Sequence, residues 1–441
     1  RGCGLVLLRA AGYVWVGGGA NLFARGAAES LEAFDAALGQ MQLPRFNVVY
    51  ADRTNIAFRY LAHTGARQFP EPRFNPADAA RARQTDWRQP VERWLAQAAW
   101  EQVVPLAHMP ALTNPPAGFV QASGGPPWHA TAAPPFDADD WPEWFSADPD
   151  HPRSRRVRNL LRSGPRSLND MQAMLYDAVA PGAVAVRAQL LAVAEARPQE
   201  VRAAHPDLEA CLELLRAWDG VADTDSTGMT FFHLWWAALR AQTGGAFPND
   251  VALAAAMRED ERLAGPALEA AAEAARMLRN EYDGVEVPWG EVHRLPRGEA
   301  MLPVGGAVTG SPLFTMSDHV WDAGGWRVTY GQSHALAVEL TDPPQVVSVA
   351  TFGSSERPDS PHFNDQFALL REQRFKYPLL GHETVLREAR RAFGRRVQLR
   401  PPGVPGRVVF EAGAPVSVRA PVQWTPPADT LGAWGACRVA Q

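Results

Sequence analysis

The stretch LTNPPAGFVQASGGPPW, residues 112–128, organises the rest of this chain. Its Asn-Pro-Pro run at 114–116 predicts a turn with an extended asparagine, because proline fixes its own φ and disfavours helical geometry in the residue before it. Gly118 relaxes the steric limits on the backbone, and the Phe-Val-Gln-Ala segment at 119–122 predicts a short strand. The glycines and prolines at 123–127 predict a loop whose backbone can approach a ligand. Taken alone, these residues also describe an ordinary strand and loop.

Length and composition describe a globular chain without a nucleic-acid or membrane signature. Its 441 residues are 46% hydrophobic and 21% charged, which is enough to bury a large core in two or three lobes. The formal net charge of −5 argues against nucleic acid as the main partner. The sequence also contains no apolar run of the roughly 18 residues that a membrane-spanning helix needs.

The cysteines and the tryptophans do not by themselves define a functional site. Cys3, Cys211 and Cys437 lie far apart without C-x-x-C spacing, so they indicate neither a zinc site nor a disulfide framework, although one bridge could form. The 15 tryptophans fall largely in loops. Aromatic loops suit a cleft for an apolar ligand, and they equally suit the packing of long loops onto a core.

An acidic cluster lies in the Pro- and Trp-rich segment that follows residue 128. Its members are Asp137, Asp139, Asp140 and Glu143. Carboxylates at such spacing can bind calcium, which prefers hard oxygen ligands, and they also describe a solvated acidic loop. The sequence therefore leaves structural calcium as a hypothesis.

The pattern of apolar residues divides the chain into three parts. Residues 1–150 combine strands with Pro- and Trp-rich loops, residues 151–285 are mainly helical, and residues 286–441 return to strands. Ser30 is a candidate N-cap for the first predicted helix. Helices are predicted at 30–38, 151–161, 168–176, 183–197, 208–218, 229–239 and 266–282, and strands at 5–8, 13–16, 46–52, 55–60, 326–330, 335–340 and 346–352, with strand character from 289 onward.

Several short motifs do not carry the chemistry that they first suggest. The glycine run at 17–19 predicts a turn. It does not indicate a dinucleotide site, because it lacks the G-x-G-x-x-G spacing of such sites. The Gly-Ser-Ser run at 353–355 does not continue as a G-x-S-x-G nucleophile elbow. Ser360, His362 and Asp365 lie too close in sequence for a catalytic triad, whose members normally come from separate elements. We expect these three residues to order their loop by hydrogen bonds.

Four stretches follow one another along the chain and can be compared with known families. They are NVVYAD…NIAF…TGARQ from residue 47, the Asn-Pro-x-x-Gly loop from 114, LRAWDGVADTDS at 215–226 and TFGSSERPDSPHFNDQ at 351–366. In this order they resemble the penicillin amidase family of N-terminal-nucleophile hydrolases. The resemblance covers most of the chain to residue 366, and the hairpin turn is one residue shorter than is usual in the family. The long Pro-rich loops are most similar to the branch of acyl-homoserine-lactone, aculeacin and cephalosporin acylases.

The resemblance implies an α+β fold, namely part of the four-layer αββα sandwich of N-terminal-nucleophile hydrolases with a helical insertion. Residues 1–150 would form the first part of the core and residues 286–441 would complete it. The resemblance also implies that the chain is a β-chain portion lacking its N-terminal part. We therefore expect an open sheet edge and poor solubility when this portion is expressed alone.

The resemblance further implies an autoproteolytic precursor and an N-terminal serine nucleophile upstream of Arg1. In the family the α-amine of that serine acts as the base, and no cofactor is required for the chemistry. A backbone N–H and an asparagine side-chain amide stabilise the oxyanion. Some members bind a structural calcium near the position of the acidic cluster. Cys3 follows a glycine as a nucleophile could, but it lies well inside the family's β chain.

The resemblance assigns roles to two sets of residues. Gly124 occupies the position of the oxyanion asparagine and offers no side-chain amide, a loss of roughly 100- to 1,000-fold in rate unless Ser123 or a backbone N–H substitutes. Arg153 aligns with the arginine that orients the oxyanion asparagine, a task that suits its rigid fork. The other arginines of the 151–162 segment are predicted to form a solvated face. Candidate substrate-binding residues are Phe119, Gln121 and Trp128.

Three functional hypotheses remain open at this point. The first is an amide hydrolase that removes an N-acyl group from a small molecule such as a β-lactam or an acyl-homoserine lactone. The second is a degenerate homologue that binds acyl ligands without hydrolysing them, as Gly124 suggests. The third is a structural or carbohydrate-binding protein that uses its loop tryptophans. The resemblance implies export to the periplasm or secretion, and a partner in the missing N-terminal part or α chain, while the acyl group stays undefined.

Overall fold

The computed structural model describes residues 17–40, 45–62, 85, 91, 105–138, 146, 150–164, 167–247, 249–322, 325–381, 384–385 and 387, and the side chains of 62 and 317–322 are outside this description. The chain divides into two compact units, Arg1–Lys376 and Tyr377–Gln441. The predicted strands at 5–8 and 13–16 lie outside the described residues. Cys211 is a buried free thiol, and burial raises its pKa to about 12.

The first sheet contains the predicted hairpin. Strands β1 (Arg45–Ala51) and β2 (Ile56–Ala62) pair antiparallel, and β3 (Ala111–Thr113) adds to the other edge of β2. Asp52 forms the turn, because its Oδ1 accepts hydrogen bonds from the backbone N–H groups of Thr54 and Asn55 at 2.7 and 2.6 Å. These bonds hold the pKa of Asp52 well below its usual range. The hairpin prediction is confirmed.

The N-terminal helices show one correct and one wrong prediction. Helix α1 (Gly18–Gly26) begins inside the glycine run that was predicted as a turn, since Gly17 serves as its N-cap and the Asn21 N–H bonds to the Gly17 carbonyl. Helix α2 (Leu31–Leu38) begins after Ser30, whose hydroxyl accepts the Ala33 N–H at 3.1 Å. The predicted cap is confirmed. It could be predicted from the sequence because a helix cap depends only on neighbouring residues.

Residues 152–292 are mainly helical and contain the largest hydrophobic core. At its centre, Phe231, Phe232 and Trp235 are fully buried on one helix, and Trp235 Nε1 donates to the Ala267 carbonyl at 3.0 Å. Buried alanines on the facing helix allow close approach. The helices are α3 (Pro152–Arg162), α4 (Leu168–Leu175), α5 (Pro181–Ala196), α6 (Pro198–Ala204), α7 (Leu208–Ala217), α8 (Thr227–Gln242), α9 (Asp250–Glu259), α10 (Ala264–Tyr282) and α11 (Trp289–Val292).

Helix α11 replaces the strand character predicted from residue 289. The backbone N–H groups of Trp289 and Gly290 bond to the Ser226 and Thr224 carbonyls at 3.1 and 2.7 Å, which fixes this turn against the loop before α8. The later strand predictions are confirmed, but β6 and helices α6 and α9 were not predicted. The strands are β4 (His293–Arg297), β5 (Ala300–Pro303), β6 (Met316–Asp322), β7 (Gly325–Gly331), β8 (His334–Glu339) and β9 (Gln345–Ala350), and helix α12 (Phe367–Arg371) follows them.

Strands β4 to β9 form two further sheets. One has four strands in the order β5-β4-β7-β6, with a parallel β4–β7 pair between antiparallel pairs, and the other is the β8–β9 hairpin. A second hydrophobic cluster packs these strands against Tyr176, Phe314 and Phe367. The described residues therefore combine antiparallel-rich sheets with a separate helical region, which is an α+β arrangement.

Asp250 is buried where three elements meet. Its side chain, only 5% exposed, accepts hydrogen bonds from the Gly310 N–H and the Ser311 hydroxyl. It also lies against the start of α5, since a Cβ at Gly182 would stand 2.4 Å from Asp250 Oδ2. Burial raises the pKa of Asp250 from 3.8 to about 6, in spite of these bonds.

Asp250 should therefore make stability depend on pH. Between pH 4 and 6 the folded carboxyl holds its proton more tightly than the unfolded one, so stability falls as pH rises through this window. Relative to Asp250→Asn, the free energy of unfolding of the natural chain should fall by about 2–3 kcal/mol from pH 4 to 6.5. Urea titrations at several pH values measure this difference. The same substitution at Asp260, whose pKa Arg262 lowers, should not produce the loss; a pH-independent difference at position 250 would contradict the prediction.

Candidate functional site

The loop that follows β3 is tied at both ends to the β1–β2 hairpin. At its start, Asn114 Oδ1 accepts a hydrogen bond of 2.9 Å from the Ile56 N–H. At its far end, the Asn47 side-chain amide donates to the Gly125 carbonyl at 3.1 Å. Asn114 has a φ of +48° and is not extended as predicted, because asparagine tolerates the left-handed region and its side chain gains this bond. The β1–β2 hairpin thus holds both ends of this loop by hydrogen bonds.

The segment 119–122 is not the strand that the sequence predicted. The Gln121 N–H donates to the Ala130 carbonyl at 2.8 Å, and the Thr131 hydroxyl donates to the Phe119 carbonyl at 2.7 Å. These bonds pair the Gln121 N–H and the Phe119 carbonyl with groups of the same loop instead of a neighbouring strand. The apolar pattern alone carried no information about these acceptors.

Two adjacent glycines present different environments at the loop's surface. Gly124 is exposed with a φ of +88°, and a Cβ built there would approach Arg153 Nη2 at 3.3 Å. Gly125 is buried, and a Cβ there would lie 2.8 Å from the Ser154 hydroxyl. A side chain at position 124 would therefore need the Arg153 guanidinium to move by a few tenths of an ångström, while one at position 125 would overlap Ser154.

Arg153 lies against this loop from the first turn of α3. His151 caps the helix by accepting the Arg153 N–H at its Nδ1, 3.2 Å away, and burial lowers the pKa of His151, which favours the neutral ring that can accept. Arg153 Nε donates to the Ser123 carbonyl at 3.4 Å, and Nη1 donates to the Thr315 hydroxyl at 3.2 Å. The structure thus brings together Ser123, Gly124 and Arg153, the three predicted catalytic residues.

Gln121 supports the loop from within. Its side chain is 7% exposed, and its amide nitrogen donates to the His129 carbonyl and to the Ser154 hydroxyl, the latter at 3.2 Å. Its amide oxygen accepts from the Ser123 hydroxyl. The Ser123 proton is therefore already engaged, which makes this hydroxyl a poor substitute for an oxyanion donor.

Arg158 was predicted on a solvated face and is instead buried beneath the loop. Its Nη2 contacts both carboxylate oxygens of Asp150 at 2.9 Å, and its Nη1 donates to the Ser154 hydroxyl at 2.9 Å. The arginine pairs with a carboxylate because an unpaired buried charge would be costly. Ser154 and Arg158 are four residues apart, so helical spacing could have revealed that they share a face.

The remaining predicted contacts with substrate lie at the edge of the same loop. Phe119 and Trp128 are half-buried, and Trp128 lies in a 3₁₀ turn at Pro127–His129. Their chemical role stays a prediction. Sequence reasoning missed Thr315, which comes from the segment before β6 and carries no motif of its own.

The 351–366 segment behaves as expected for a structural loop. His362 Nδ1 lies 2.8 Å from Asp365 Oδ2, and the His362 backbone N–H donates to the Ser360 hydroxyl at 3.2 Å. Arg297 lies over the Phe363 ring, 4.0 Å from its centroid. These contacts join the loop to itself and to β4.

The described residues contain neither a metal-binding cluster nor a membrane-spanning helix. Among them, no three His, Cys, Asp or Glu side chains stand close enough to hold a metal ion. Asp137 belongs to this part, whereas Asp139, Asp140 and Glu143 lie outside it, so the calcium hypothesis stays a prediction. No described helix is both long and apolar enough to cross a bilayer.

Comparison with known proteins relates the chain to one group. Residues 17–386 match the family model of penicillin amidase. The chain is 26% identical, over 326 residues, to the penicillin acylase 2 proenzyme of Pseudomonas sp. (strain SE83); the match covers 66% of this chain and 40% of the proenzyme. The fold is similar to that of the thermostable penicillin G acylase from Alcaligenes faecalis, with a TM-score of 0.51 at 18% identity, covering 87% of this chain and 73% of that one. The chain thus spans well under half the length of the proenzyme.

Proposed function

Because the chain belongs to the penicillin amidase family, we propose that its parent protein hydrolyses a linear amide bond and removes an N-acyl group from a small molecule. A β-lactam or an acyl-homoserine lactone is the expected class of substrate. The reaction has three requirements: a nucleophile, a base and donors that stabilise the oxyanion of the tetrahedral intermediate.

The observation that carries the proposal is the meeting of Ser123, Gly124 and Arg153 at one exposed point. Gly124 is exposed, the Arg153 guanidinium donates to the Ser123 carbonyl, and its Nη2 lies 3.3 Å from where a Cβ of residue 124 would stand. A fixed positive charge and preorganised donors are what a developing oxyanion needs. Ser123 is not the nucleophile in this proposal, because its hydroxyl donates to Gln121.

The nucleophile that we propose is an N-terminal serine from the part of the precursor outside these 441 residues. Its α-amine would take up the hydroxyl proton as the hydroxyl oxygen attacks the amide carbonyl. The amine product would leave with that proton, and water would hydrolyse the acyl-enzyme. The proenzyme relative, of which this chain spans 40%, supports a contribution from other parts of a precursor.

A second candidate function is the binding of acyl ligands without hydrolysis. It is favoured by one observation, namely that position 124 carries no side-chain amide, although among the described residues a Cβ there would meet only the end of the Arg153 side chain. In a degenerate homologue the loop would keep its shape while the oxyanion lacked its strongest donor.

Several finer features belong to the same proposal. We place the described sheets and helices in part of a four-layer αββα sandwich with a helical insertion, and we keep the three-part division at residues 150 and 285. The parent protein would be periplasmic or secreted, as the family resemblance implies. Its partners would be the remaining precursor or α chain and the acylated substrate. No cofactor would be needed, and calcium would be structural.

The experiment that tests the proposal starts from the complete precursor, expressed from the gene extended upstream of Arg1. Intact mass and N-terminal sequencing should find a self-cleaved product that begins with serine. That product should release para-nitroaniline from anilides acylated with phenylacetyl, hexanoyl or decanoyl groups. Replacing the newly exposed serine by alanine should abolish both cleavage and release.

Two results would decide against hydrolysis. An uncleaved precursor, or one without a serine at the family's cleavage position, would favour the binding homologue. Calorimetry with the same anilides would then measure the affinity that this alternative requires. A processed precursor that neither hydrolyses nor binds any of the anilides would overturn both candidates for these acyl classes.

A further inference from the structure

Arg153 is held in place by neutral groups. Within the described ranges no carboxylate pairs with it, and its two hydrogen-bond partners are the Ser123 carbonyl and the Thr315 hydroxyl. In contrast, Arg156 and Arg158 on the same helix each pair with an aspartate, Asp177 or Asp150. The direction of the Arg153 guanidinium therefore depends on two hydrogen bonds, and only one of them comes from a side chain.

The Thr315 hydroxyl is oriented to accept from Arg153. It lies 3.1 Å from the Pro312 carbonyl and 3.3 Å from the Leu313 carbonyl, so its single proton has backbone acceptors behind it. When the Thr315 hydroxyl donates its proton to one of these carbonyls, its oxygen lone pairs face the Arg153 guanidinium, whose Nη1 is 3.2 Å away. The threonine thus acts as an acceptor of defined direction.

The backbone around Thr315 is fixed on both sides. The Phe314 ring is buried, and its N–H donates to the Asp177 carbonyl at 2.9 Å. The Gln332 N–H donates to the Thr315 carbonyl at 3.0 Å. Gly306 allows the segment to pass closely, because a Cβ there would stand 2.3 Å from the Phe314 carbonyl oxygen. Thr315 therefore offers a rigid point of attachment.

Helix α3 is joined to the same segment a second time. Arg156, three residues after Arg153 and on the same helix face, pairs with the Asp177 carboxylate at 2.6 Å. The main-chain carbonyl of Asp177 holds Phe314. Helix and segment are thus linked through Asp177, and the Thr315 hydroxyl adds the contact at the end of the Arg153 side chain.

We propose that Thr315 is a positioning residue of the amidase reaction, whose hydroxyl holds the Arg153 guanidinium against the Ser123–Gly124 backbone. This inference rests on the proposed function. Thr315 does not touch the reacting atoms; it acts through Arg153. A 1 Å misplacement of such a group can cost on the order of 100-fold in rate.

The test uses Thr315→Val and Thr315→Ser in the complete, processed precursor. Valine keeps the shape and loses the hydroxyl, so we expect kcat on phenylacetyl para-nitroanilide to fall roughly 10- to 100-fold, with KM within about threefold. Serine keeps the hydroxyl and should restore kcat to within about threefold of the natural enzyme. Thr341→Val is the matched control, because within the described part of the chain this exposed hydroxyl bonds to turn carbonyls alone, and its loss should leave kcat unchanged. A valine variant with unchanged kcat, or a serine variant as slow as valine, would overturn the proposal.

A crystal structure of Thr315→Val separates this proposal from the amidase proposal. We expect the Arg153 guanidinium to leave the Ser123 carbonyl by about 1 Å or more, with α3 and the 306–314 segment in place. If Arg153 stays where it is, the positioning role is wrong whatever the activity. If it moves but the natural protein hydrolyses no anilide, the contact is real, the amidase proposal fails, and the catalytic role of Thr315 fails with it.

Discussion

Replacing Gly124 by asparagine in the complete precursor is expected to raise the rate of anilide hydrolysis by roughly 100- to 1,000-fold, the amount that one oxyanion donor contributes. By resemblance, position 124 is that of the asparagine whose amide binds the oxyanion. The Gly124 backbone has a φ of +88°, and asparagine tolerates left-handed geometry better than other residues with a Cβ. Its Cβ would meet only Arg153 Nη2, at 3.3 Å.

Two variants at the same position control for side-chain bulk and backbone strain. Gly124→Asp has the shape of asparagine but offers an anion in place of a donor, and Gly124→Ala carries the left-handed strain alone. Neither should gain activity, and kcat for the three variants on one anilide separates the causes. If Gly124→Asn also gains nothing, the alignment at position 124 is wrong or the scaffold lacks another catalytic part, as the binding homologue would.

The second large effect is expected from Arg153→Met, which keeps the length of the side chain and removes its charge and donors. We expect kcat to fall about 100-fold with little change in KM, because the Ser123 carbonyl loses its partner and the oxyanion loses a fixed positive charge. Intact mass, measured alongside, shows whether self-cleavage is also impaired. Arg155→Met is the control, since Arg155 is more exposed and, among the described residues, bonds to Asp150 alone.

A double variant connects these predictions. If Arg153 orients the group at position 124, the gain from Gly124→Asn should largely disappear in the presence of Arg153→Met. Independent effects, with the full gain retained, would mean that Arg153 acts on charge alone or not at all. An Arg155→Met variant as slow as Arg153→Met would show that the segment, and not one side chain, is responsible.

The parts of the fold that the sequence could predict are those decided by near neighbours. The Ser30 cap of α2 needs only a residue three positions away, since the Ser30 hydroxyl accepts the Ala33 N–H. The β1–β2 hairpin likewise follows from its turn and its flanking strands. Where a remote acceptor decides, local pattern fails, as at 119–122, whose backbone bonds to residues 130 and 131.

In the candidate site, too, some residues could be found from the sequence and others only from contacts between distant parts of the chain. Family resemblance led to position 124 and Arg153, because an alignment carries over the three-dimensional arrangement of relatives. It did not lead to Thr315, which is 162 positions from Arg153 along the chain. Nor did composition reveal that Arg158 is buried, since an arginine-rich helix looks solvated until its partner, Asp150, is known.

The contrast between the two loop glycines has a consequence for natural variation. At position 125 a Cβ would stand 2.8 Å from the Ser154 hydroxyl, so a larger residue there would force Ser154 to shift. At position 124 a Cβ would meet only the end of the flexible Arg153 side chain among the described residues, yet a glycine codon cannot become an asparagine codon by a single base change. The intermediate is serine or aspartate, and aspartate would place a carboxylate beside Arg153, at the point where the proposed reaction would form its oxyanion. We therefore expect a lineage that acquires the amide to pass through serine, the intermediate that adds no charge to the loop.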